Sequence, residues 1–404
     1  MNSWRLAWRN LQRNRARTWI AVVALAVSTT LLVVIDGLAL GLDDLLTRGA
    51  INLGVGEAQV HAKTYARDES IYATLPNADA VIAAAKANGI DSAPRALGGG
   101  LLSTGENSTG ARIWGVDPAA ERSLGTLPGH LRAGGFLPDT NENRIVLGCE
   151  LARLLGANVG DKIALIVQAT DGSTSTQMMM VSGIFDTIGE VDTSLAMIDR
   201  RDFEELFVMD GKIHEIALSS HFRLAPEQVA ALVTPAAGDA ADVMTWRKAL
   251  PAVDDISRLT RSFAGVLSTI FFIAAGLGLL NTILMATTER IREFGLVKAL
   301  GAAPGRIIAD VTRETFLLGI LSAGVGGLIG VACTLLLARH GIDLRTFGKL
   351  DLGGVGLEPV WHSHPSARGI ATPILGMVFV TLLAALYPAV VVARLTPVKA
   401  LTHV

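Results

Sequence analysis

The sequence predicts an α-helical membrane protein with four transmembrane helices and a large α+β domain between the first and the second. Two observations support this fold class. Half of the 404 residues are hydrophobic and only 18% are charged, whereas soluble domains carry roughly 25% charged residues. In addition, the chain contains four apolar runs, each long enough to cross a hydrocarbon core, which needs about 20 residues as a helix.

The predicted transmembrane helices cover residues 18–42, 262–287, 315–338 and 369–393. The segments outside them are 1–17, 43–261, 288–314, 339–368 and 394–404. The first run exceeds the apolar core of a signal peptide, so we interpret it as an uncleaved anchor. It carries a single charge, Asp36. We interpret Asp36 as close enough to the interface to reach water, with a polar lining for a central cavity as the alternative.

Basic residues predict the orientation of the chain. Five arginines and no acidic residue precede the first run, namely Arg5, Arg9, Arg13, Arg15 and Arg17. The positive-inside rule therefore places both termini and segment 288–314 in the cytoplasm of a bacterial inner membrane. Segments 43–261 and 339–368 then face outward. Arg13, Arg15 and Arg17 are expected to anchor the first helix at anionic headgroups.

Segment 43–261 mixes strand and helix patterns, which predicts an α+β domain. The expected strands cover residues 57–62, 111–116, 162–167, 178–183 and 215–219. The expected helices cover residues 77–88, 202–208 and 226–234. Glycine-rich stretches at residues 98–100, 134–135 and 171–172 are expected to form turns.

Several chemistries receive no support from the sequence. The chain has no GxxxxGK[ST], HExxH or GxSxG motif, so we predict neither ATP hydrolysis by this chain nor another enzyme activity. The net charge of −2 does not favour nucleic acid as a partner. Cys149 and Cys333 are interpreted as small buried side chains. His362 and His364 form an HxH pair near His340, but no further ligand pattern supports a metal site.

Segment 287–307 reads TTERIREFGLVKALGAAPGRI and directly follows an apolar run. Charged residues cluster at its start, and Phe294, Leu296, Val297 and Leu300 supply apolar side chains. The pattern predicts a short amphipathic helix beneath the membrane, which ends at Gly301 because glycine suits the left-handed position there. Such a helix can dock in a groove on a partner, and on spacing alone an interfacial loop held by lipid headgroups is an equal alternative.

This loop resembles that of the FtsX-like permease family, which includes lipoprotein-releasing permeases of the LolC and LolE type and MacB-type efflux proteins. The matching positions are Glu289, Arg290, Glu293, Gly295, Lys298, Ala299, Gly301 and Ala302. Pro304 stands where serine is common. The tail ARLTPVKAL and the outer stretches IWGVDP and VLGCELARLLGANVGDKIAL are also similar to the family.

The resemblance implies a MacB/LolC-like periplasmic domain and a permease subunit of an ABC transporter, without its own cofactor, that uses ATP and Mg through a separate ATPase. It assigns ATPase coupling to Glu289, Arg290, Ile291, Glu293, Phe294, Gly295, Leu296, Lys298, Ala299 and Gly301. A second permease subunit, identical or paralogous, membrane lipids and a periplasmic lipoprotein carrier or adaptor are the other implied partners. Lipoprotein release or extraction of other amphiphiles is the expected function. MacB-like efflux and FtsX-like activation of periplasmic cell-wall hydrolases remain alternatives.

Small residues repeat along the third apolar run. Gly319, Ala323 and Gly327 are spaced by four, as are Gly326 and Gly330. This spacing lets helix backbones approach closely in lipid. Packing within the chain and contacts in a dimer are equally compatible with it.

Overall fold

The computed structural model describes residues 3–13, 15–63, 65, 70–125, 127–140, 142–187, 191–344, 351–352, 355–356 and 360–394. The predicted cytoplasmic tail 394–404 therefore lies outside the described residues, apart from Arg394. The chain divides into two compact units. The helical unit is built from residues 1–43, 258–343 and 360–404, and the α+β unit from residues 44–257 and 344–359.

Four long apolar helices supply most of the helical unit. They are Arg15–Ala50, Pro251–Glu289, Pro304–His340 and Ala367–Arg394, and each contains an 18-residue stretch with a mean hydropathy of 2.2 to 2.4. Each is long and apolar enough to cross a membrane. They are called here the first to fourth long helices. All four extend beyond the predicted spans.

Shorter elements complete the helical unit. An N-terminal helix, Ser3–Arg13, precedes the first long helix, and a short helix, Ile291–Ala299, lies between the second and the third. Strand β11 (Ile342–Asp343) pairs with β14 (Val360–Trp361) after the third long helix. The apolar core of the unit includes Leu25, Leu279, Leu318 and Met377, one from each long helix.

The α+β unit contains a ten-stranded mixed sheet. Its strands are β1 (Ala58–Ala62), β2 (Asp91–Ser103), β3 (Ser108–Val116), β4 (Leu131–Gly134), β5 (Arg144–Gly148), β6 (Lys162–Gln168), β7 (Thr174–Phe185), β8 (Leu195–Asp199), β9 (Glu215–Ser219) and β10 (Ala241–Thr245). The order is β10-β1-β9-β2-β3-β8-β5-β7-β4, with β6 paired to β2 and β7. A two-residue pair, β12 (Asp351–Leu352) with β13 (Val355–Gly356), also belongs to this unit.

Helices flank the sheet of the α+β unit. They are Ala78–Ala87, Pro118–Leu124, Cys149–Leu155, Val191–Ser194, Arg200–Phe207, Pro226–Ala237 and Trp246–Ala249, with a π turn at Ile51–Val55 and a 3-10 turn at Leu127–His130. All five predicted strands and all three predicted helices of this domain are present, with ends that lie within four residues of the predicted bounds. The α+β class is therefore confirmed.

The prediction of a turn at residues 98–100 is wrong, because these glycines lie inside β2. The small size of Gly98 and Gly100 serves close packing, whereas a Cβ at Gly99 would meet no atom within 4 Å. A Cβ at Gly98 would lie 2.8 Å from Phe207 Cε1, and one at Gly100 would lie 2.9 Å from Leu165 Cδ1. Both distances are shorter than real contacts, so β2 needs glycine where helix Arg200–Phe207 packs on it and where strand β6 pairs with it. The glycine run marks close approach within a strand.

A fully buried ion cluster lies in the α+β unit. The Arg95 guanidinium donates to Glu121, to the Gly54 carbonyl and, at 2.8 Å, to Glu215 Oε1. It also stacks 4.5 Å from the Trp114 ring. Burial alone would lower the pKa of Arg95, but the two carboxylates outweigh it and raise the pKa, so the arginine stays charged.

His214 is buried in the same unit and is neutral. The Leu97 amide donates to its Nδ1 at 3.0 Å, and Nε2 lies 2.8 Å from the Ile71 carbonyl. The Nε2–H tautomer satisfies both contacts. Burial lowers the pKa of His214 and outweighs the opposing effect of the Ile71 hydrogen bond.

We expect this histidine to make the α+β unit less stable in acid. Below about pH 6.5, the ordinary pKa of histidine, His214 binds a proton in the unfolded chain but not in the folded one. The free energy of unfolding therefore falls as the pH decreases, until the pH reaches the lower pKa of His214 in the folded state. Thermal unfolding between pH 7.5 and pH 5 measures the effect. His214→Gln removes the titrating ring, keeps a donor and an acceptor at this position, and should flatten the profile. An equally steep profile in His214→Gln would assign the pH dependence to other groups.

Candidate functional site

The short helix Ile291–Ala299 stands apart from the long helices before and after it. Leu300 caps its C-terminus, and the Ala302 amide donates to the Val297 carbonyl at 3.2 Å. Gly301 has a φ of 93°, a conformation that glycine adopts without strain. The predicted end of the helix at Gly301 is therefore confirmed.

One face of the short helix packs onto the helical unit. Ile291 and Gly295 are buried, and half-buried Phe294 packs against the apolar core. Lys298 donates from Nζ to the Ala393 carbonyl of the fourth long helix at 2.7 Å. A lysine near the end of a helix is favourable, because the last carbonyls carry partial negative charge. Phe294, which the sequence suggested as a contact for a partner, instead faces inward.

Ion pairs join the start of this segment to the N-terminal region. Arg17 Nη1 lies 2.9 Å from Glu289 Oε2, and Arg13 Nη1 lies 3.0 Å from Glu293 Oε1. Headgroup anchoring was expected for both arginines, but here they pair with carboxylates far along the chain. These ion pairs could not be predicted from the sequence, because only folding brings the two segments together. The exposed pairs are individually weak, and several together fix the position of the segment.

Arg290 forms a more protected link to the third long helix. Its Nη1 lies 3.0 Å from Glu314 Oε2, and its guanidinium lies 5.1 Å from the Phe294 ring. Its Nε also lies 3.3 Å from Glu293 Oε2. Burial alone would raise the pKa of Glu293, but the hydrogen bonds from Arg13 and Arg290 outweigh it and lower the pKa. Glu293 is therefore ionised at neutral pH.

The opposite face of the short helix is apolar and exposed. Leu296, Val297 and Leu300 are 56%, 43% and 80% exposed. We call these three residues the outward patch. Arg292 and Ala299 beside it are also exposed. Burying a side chain of this size stabilises a protein by about 1.5–3 kcal/mol, and these exposed side chains do not contribute that free energy. Such a patch is typical of a surface that binds another molecule.

The small residues predicted on the third long helix face helices of the same chain. A Cβ at Gly326 would lie 2.8 Å from Thr29 Cβ, and one at Gly330 would lie 2.9 Å from Val33 Cβ. Both contacts are with the first long helix.

Two further members of this set face the fourth long helix. A Cβ at Gly319 would lie 3.1 Å from Thr381 Cβ, and one at Gly327 would lie 2.7 Å from Ile374 Cδ1. Ala323 is 1% exposed. The stripe is therefore occupied by packing within the chain.

The remaining residues considered in the sequence make contacts of their own. Asp36 is half-buried beside Gly369, where a Cβ would lie 3.0 Å from the carboxylate carbon. His362 Nδ1 lies 3.1 Å from the Ala338 carbonyl. Cys149 is buried with its Sγ 3.7 Å from Asp192 Oδ2, whereas Cys333 is only half-buried.

Known proteins are similar to this chain in sequence. Residues 265–397 match the family model described as FtsX-like permease C-terminal. The chain is 26% identical over 342 residues to the lipoprotein-releasing system transmembrane protein LolC of Neisseria meningitidis, a match that covers 77% of each chain. It is 24% identical over 406 residues to the uncharacterized ABC transporter permease protein Rv0987 of Mycobacterium tuberculosis, covering 98% of this chain and 44% of that relative.

A solved structure is also similar. The periplasmic region of MacB from Actinobacillus actinomycetemcomitans aligns with 50% of this chain and 94% of its own, at 14% identity and a TM-score of 0.36.

The four apolar helices and the matched C-terminal segment define a polytopic membrane protein of the permease class. The segment 265–397 is similar to the C-terminal region of FtsX-like permeases. The short helix Ile291–Ala299 lies inside the matched segment.

Proposed function

We propose that this chain is the permease subunit of an ABC transporter and that a separate ATPase docks on the outward patch. The observation that carries the proposal is the two-sided character of the short helix. Its outer face offers exposed Leu296, Val297 and Leu300, and its inner face is fixed by packing and hydrogen bonds. An amphipathic helix that presents apolar side chains in this way fits a groove on a partner.

The contacts that hold the short helix would transmit a movement of the docked ATPase to the long helices. Arg290 connects the segment to Glu314 of the third long helix, and Lys298 connects it to Ala393 of the fourth. Glu289 connects it to Arg17 of the first, and Glu293 connects it to Arg13 at the end of the N-terminal helix. A displacement of the short helix on nucleotide binding would therefore reach three long helices at once. These contacts support a mechanical role for the loop.

The orientation belongs to the same proposal. ATP is hydrolysed in the cytoplasm, so the short helix lies on that side and the α+β unit faces the periplasm. The arginine-rich start of the chain supports this orientation. Both termini are then cytoplasmic, as four crossings require.

Lipidated proteins are the proposed cargo, released from the outer leaflet of the inner membrane. The relative from Neisseria meningitidis, whose name refers to lipoprotein release, aligns with 77% of this chain and 77% of its own length. The proposed work is a change in shape of the α+β unit, driven by ATP hydrolysis in the partner. A second permease subunit would complete the complex.

The double variant Leu296→Asp/Leu300→Asp tests the docking surface. Two carboxylates in a desolvated groove are strongly unfavourable, so we expect at least about a tenfold loss of the ATPase that co-purifies with the tagged chain. Leu154→Asp/Leu232→Asp is the matched control, because these leucines are 50% and 41% exposed on the α+β unit. The control should retain the ATPase and the release of a lipidated reporter from spheroplasts.

Two results would contradict the proposal. One is undiminished ATPase capture by the Leu296→Asp/Leu300→Asp variant. The other is labelling of Leu300→Cys in intact cells by a membrane-impermeant thiol reagent, in a Cys149→Ala/Cys333→Ala background. Leu232→Cys, on the α+β unit, should react with that reagent.

A further inference from the structure

A cavity of about 600 Å³ lies within the α+β unit. Its wall combines apolar surface, including the Trp114 ring, with polar side chains from β1, β3 and β9. Small-molecule sites have this size and this mixture of apolar walls with a few convergent polar groups. The cavity is unrelated to the short helix and to the ATPase-docking proposal.

His61 lines this cavity and has an unmet hydrogen-bonding requirement. It is 6% exposed, and its Nε2 lies 3.0 Å from Gln59 Oε1. The Gln59 amide nitrogen donates to Glu215 Oε1 at 3.2 Å, which fixes the amide orientation and leaves Gln59 Oε1 to accept the Nε2 proton. His61 Nδ1 is buried and has no hydrogen-bond partner among the residues that the structure describes. A neutral ring would accept a hydrogen bond at this atom.

The neighbouring Glu215 already forms an ion pair with Arg95. Arg95 holds one of its oxygens at 2.8 Å, and its other oxygen lies 3.8 Å from His61 Nε2. Glu215 therefore orients the Gln59 amide, which in turn contacts His61 Nε2. His61 Nδ1 is therefore the one buried side-chain atom of this group of Gln59, His61, Arg95 and Glu215 that lacks a hydrogen bond within the described residues. Leaving a buried polar atom unpaired is costly in free energy.

Two cations line the same cavity on its exposed side. Arg112 and Lys248 are both exposed wall residues. Neither forms an ion pair with any residue in the described ranges. An arginine presents a planar fork to phosphate oxygens, and a lysine binds phosphate as a point charge. The Trp114 ring beside them offers apolar surface.

We propose that this cavity binds an organic phosphate that carries a hydroxyl or ammonium group. The phosphate lies against Arg112 and Lys248, and the hydroxyl or ammonium donates to His61 Nδ1. Glycerol phosphates have this chemistry, either as a soluble ester or as the headgroup of a phospholipid. The site would bind its ligand without transforming it.

The test is a calorimetric titration of the full chain in a neutral detergent. The probes are glycerol 3-phosphate, dihexanoyl-phosphatidylglycerol and dihexanoyl-phosphatidylcholine, the last of which lacks a donor on its headgroup. We expect the phosphatidylglycerol to bind at least about fivefold more tightly than the phosphatidylcholine. Binding of glycerol 3-phosphate as well would assign the site to a soluble ester, and binding of phosphatidylglycerol alone would assign it to a lipid headgroup.

Variants decide whether binding occurs in this cavity. Arg112→Gln/Lys248→Gln should weaken binding at least about tenfold. The control Lys86→Gln/Lys162→Gln removes the same charge from exposed positions outside the cavity and should leave binding unchanged. His61→Phe retains an aromatic ring and should reduce the preference for phosphatidylglycerol, leaving the part that arises because Arg112 and Lys248 repel the cationic choline group. Binding of neither hydroxyl-bearing probe, or equal affinity in the Arg112→Gln/Lys248→Gln variant, would overturn the proposal. ATPase capture by these variants should be normal, which separates this site from the docking surface.

Discussion

Replacing Arg95 with methionine is expected to destabilise the α+β unit by about 3–5 kcal/mol. Arg95 and Glu121 are fully buried, and Glu215 is 5% exposed. Methionine fills much of the volume but leaves two carboxylates without their cation. Uncompensated buried charge costs more than the lost attraction, because the protein interior solvates an ion poorly. The Gly54 carbonyl loses its donor as well.

Urea unfolding of the full chain in detergent, followed by tryptophan fluorescence, measures this effect. Arg153→Met is the control, because Arg153 pairs with Glu150 on the surface with its side chain 70% exposed. We expect a change below about 1 kcal/mol there. The triple variant Arg95→Met/Glu121→Gln/Glu215→Gln should recover part of the loss, since no buried charge remains. A loss below about 1 kcal/mol in Arg95→Met alone would show that the carboxylates do not depend on this arginine.

Replacing Gly326 with valine is expected to disrupt the helical unit. The new Cβ would lie 2.8 Å from Thr29 Cβ and 2.9 Å from Ala26 Cα. These atoms belong to the backbone and the stiff start of a side chain, so the first and third long helices would have to separate. The hydrogen bond from Thr30 Oγ1 to the Gly326 carbonyl, 2.9 Å long, would be lost as the helices part. Overpacking of this kind costs about 1–3 kcal/mol or more.

Thermal stability in detergent, followed as the fraction of chain that remains monodisperse on gel filtration, measures the Gly326→Val effect. Gly324→Val is a close control, two residues away on the same helix, because a Cβ there meets no atom within 4 Å. Both substitutions make the same change in helix propensity, so only the packing differs between them. We expect a clearly lower midpoint for Gly326→Val and a nearly unchanged one for Gly324→Val. Equal midpoints would mean that the close approach at Gly326 contributes nothing to stability.

The membrane helices and the α+β class could be predicted because both depend on local patterns. A run such as 315–338 is apolar over the length that a bilayer demands, and hydrophobic periodicity predicts strands such as β9 wherever they pair. The site was only partly predictable. Its position between two apolar runs and its end at Gly301 follow from the sequence. Which of its apolar residues face inward does not follow, because Phe294 and Leu296 are equally apolar and only neighbouring helices distinguish them.

Contacts between distant segments account for the corrections. Arg13 and Arg17 have no acidic neighbour in sequence, so lipid headgroups were the natural expectation, and folding brings Glu293 and Glu289 to them. The glycines at 98–100 are typical of a turn by composition, but they lie in a strand in which Phe207 and Leu165 leave no room for a side chain at Gly98 and Gly100.

Local composition therefore fixed the number of apolar helices, the class of the intervening domain and the place of the short helix, because hydrophobic length and periodicity act over a few residues. Packing in three dimensions fixed the outward patch, the ion pairs that hold the short helix and the cavity beside His61. These features depend on the distances between residues that are tens to hundreds of positions apart. No local pattern records such distances.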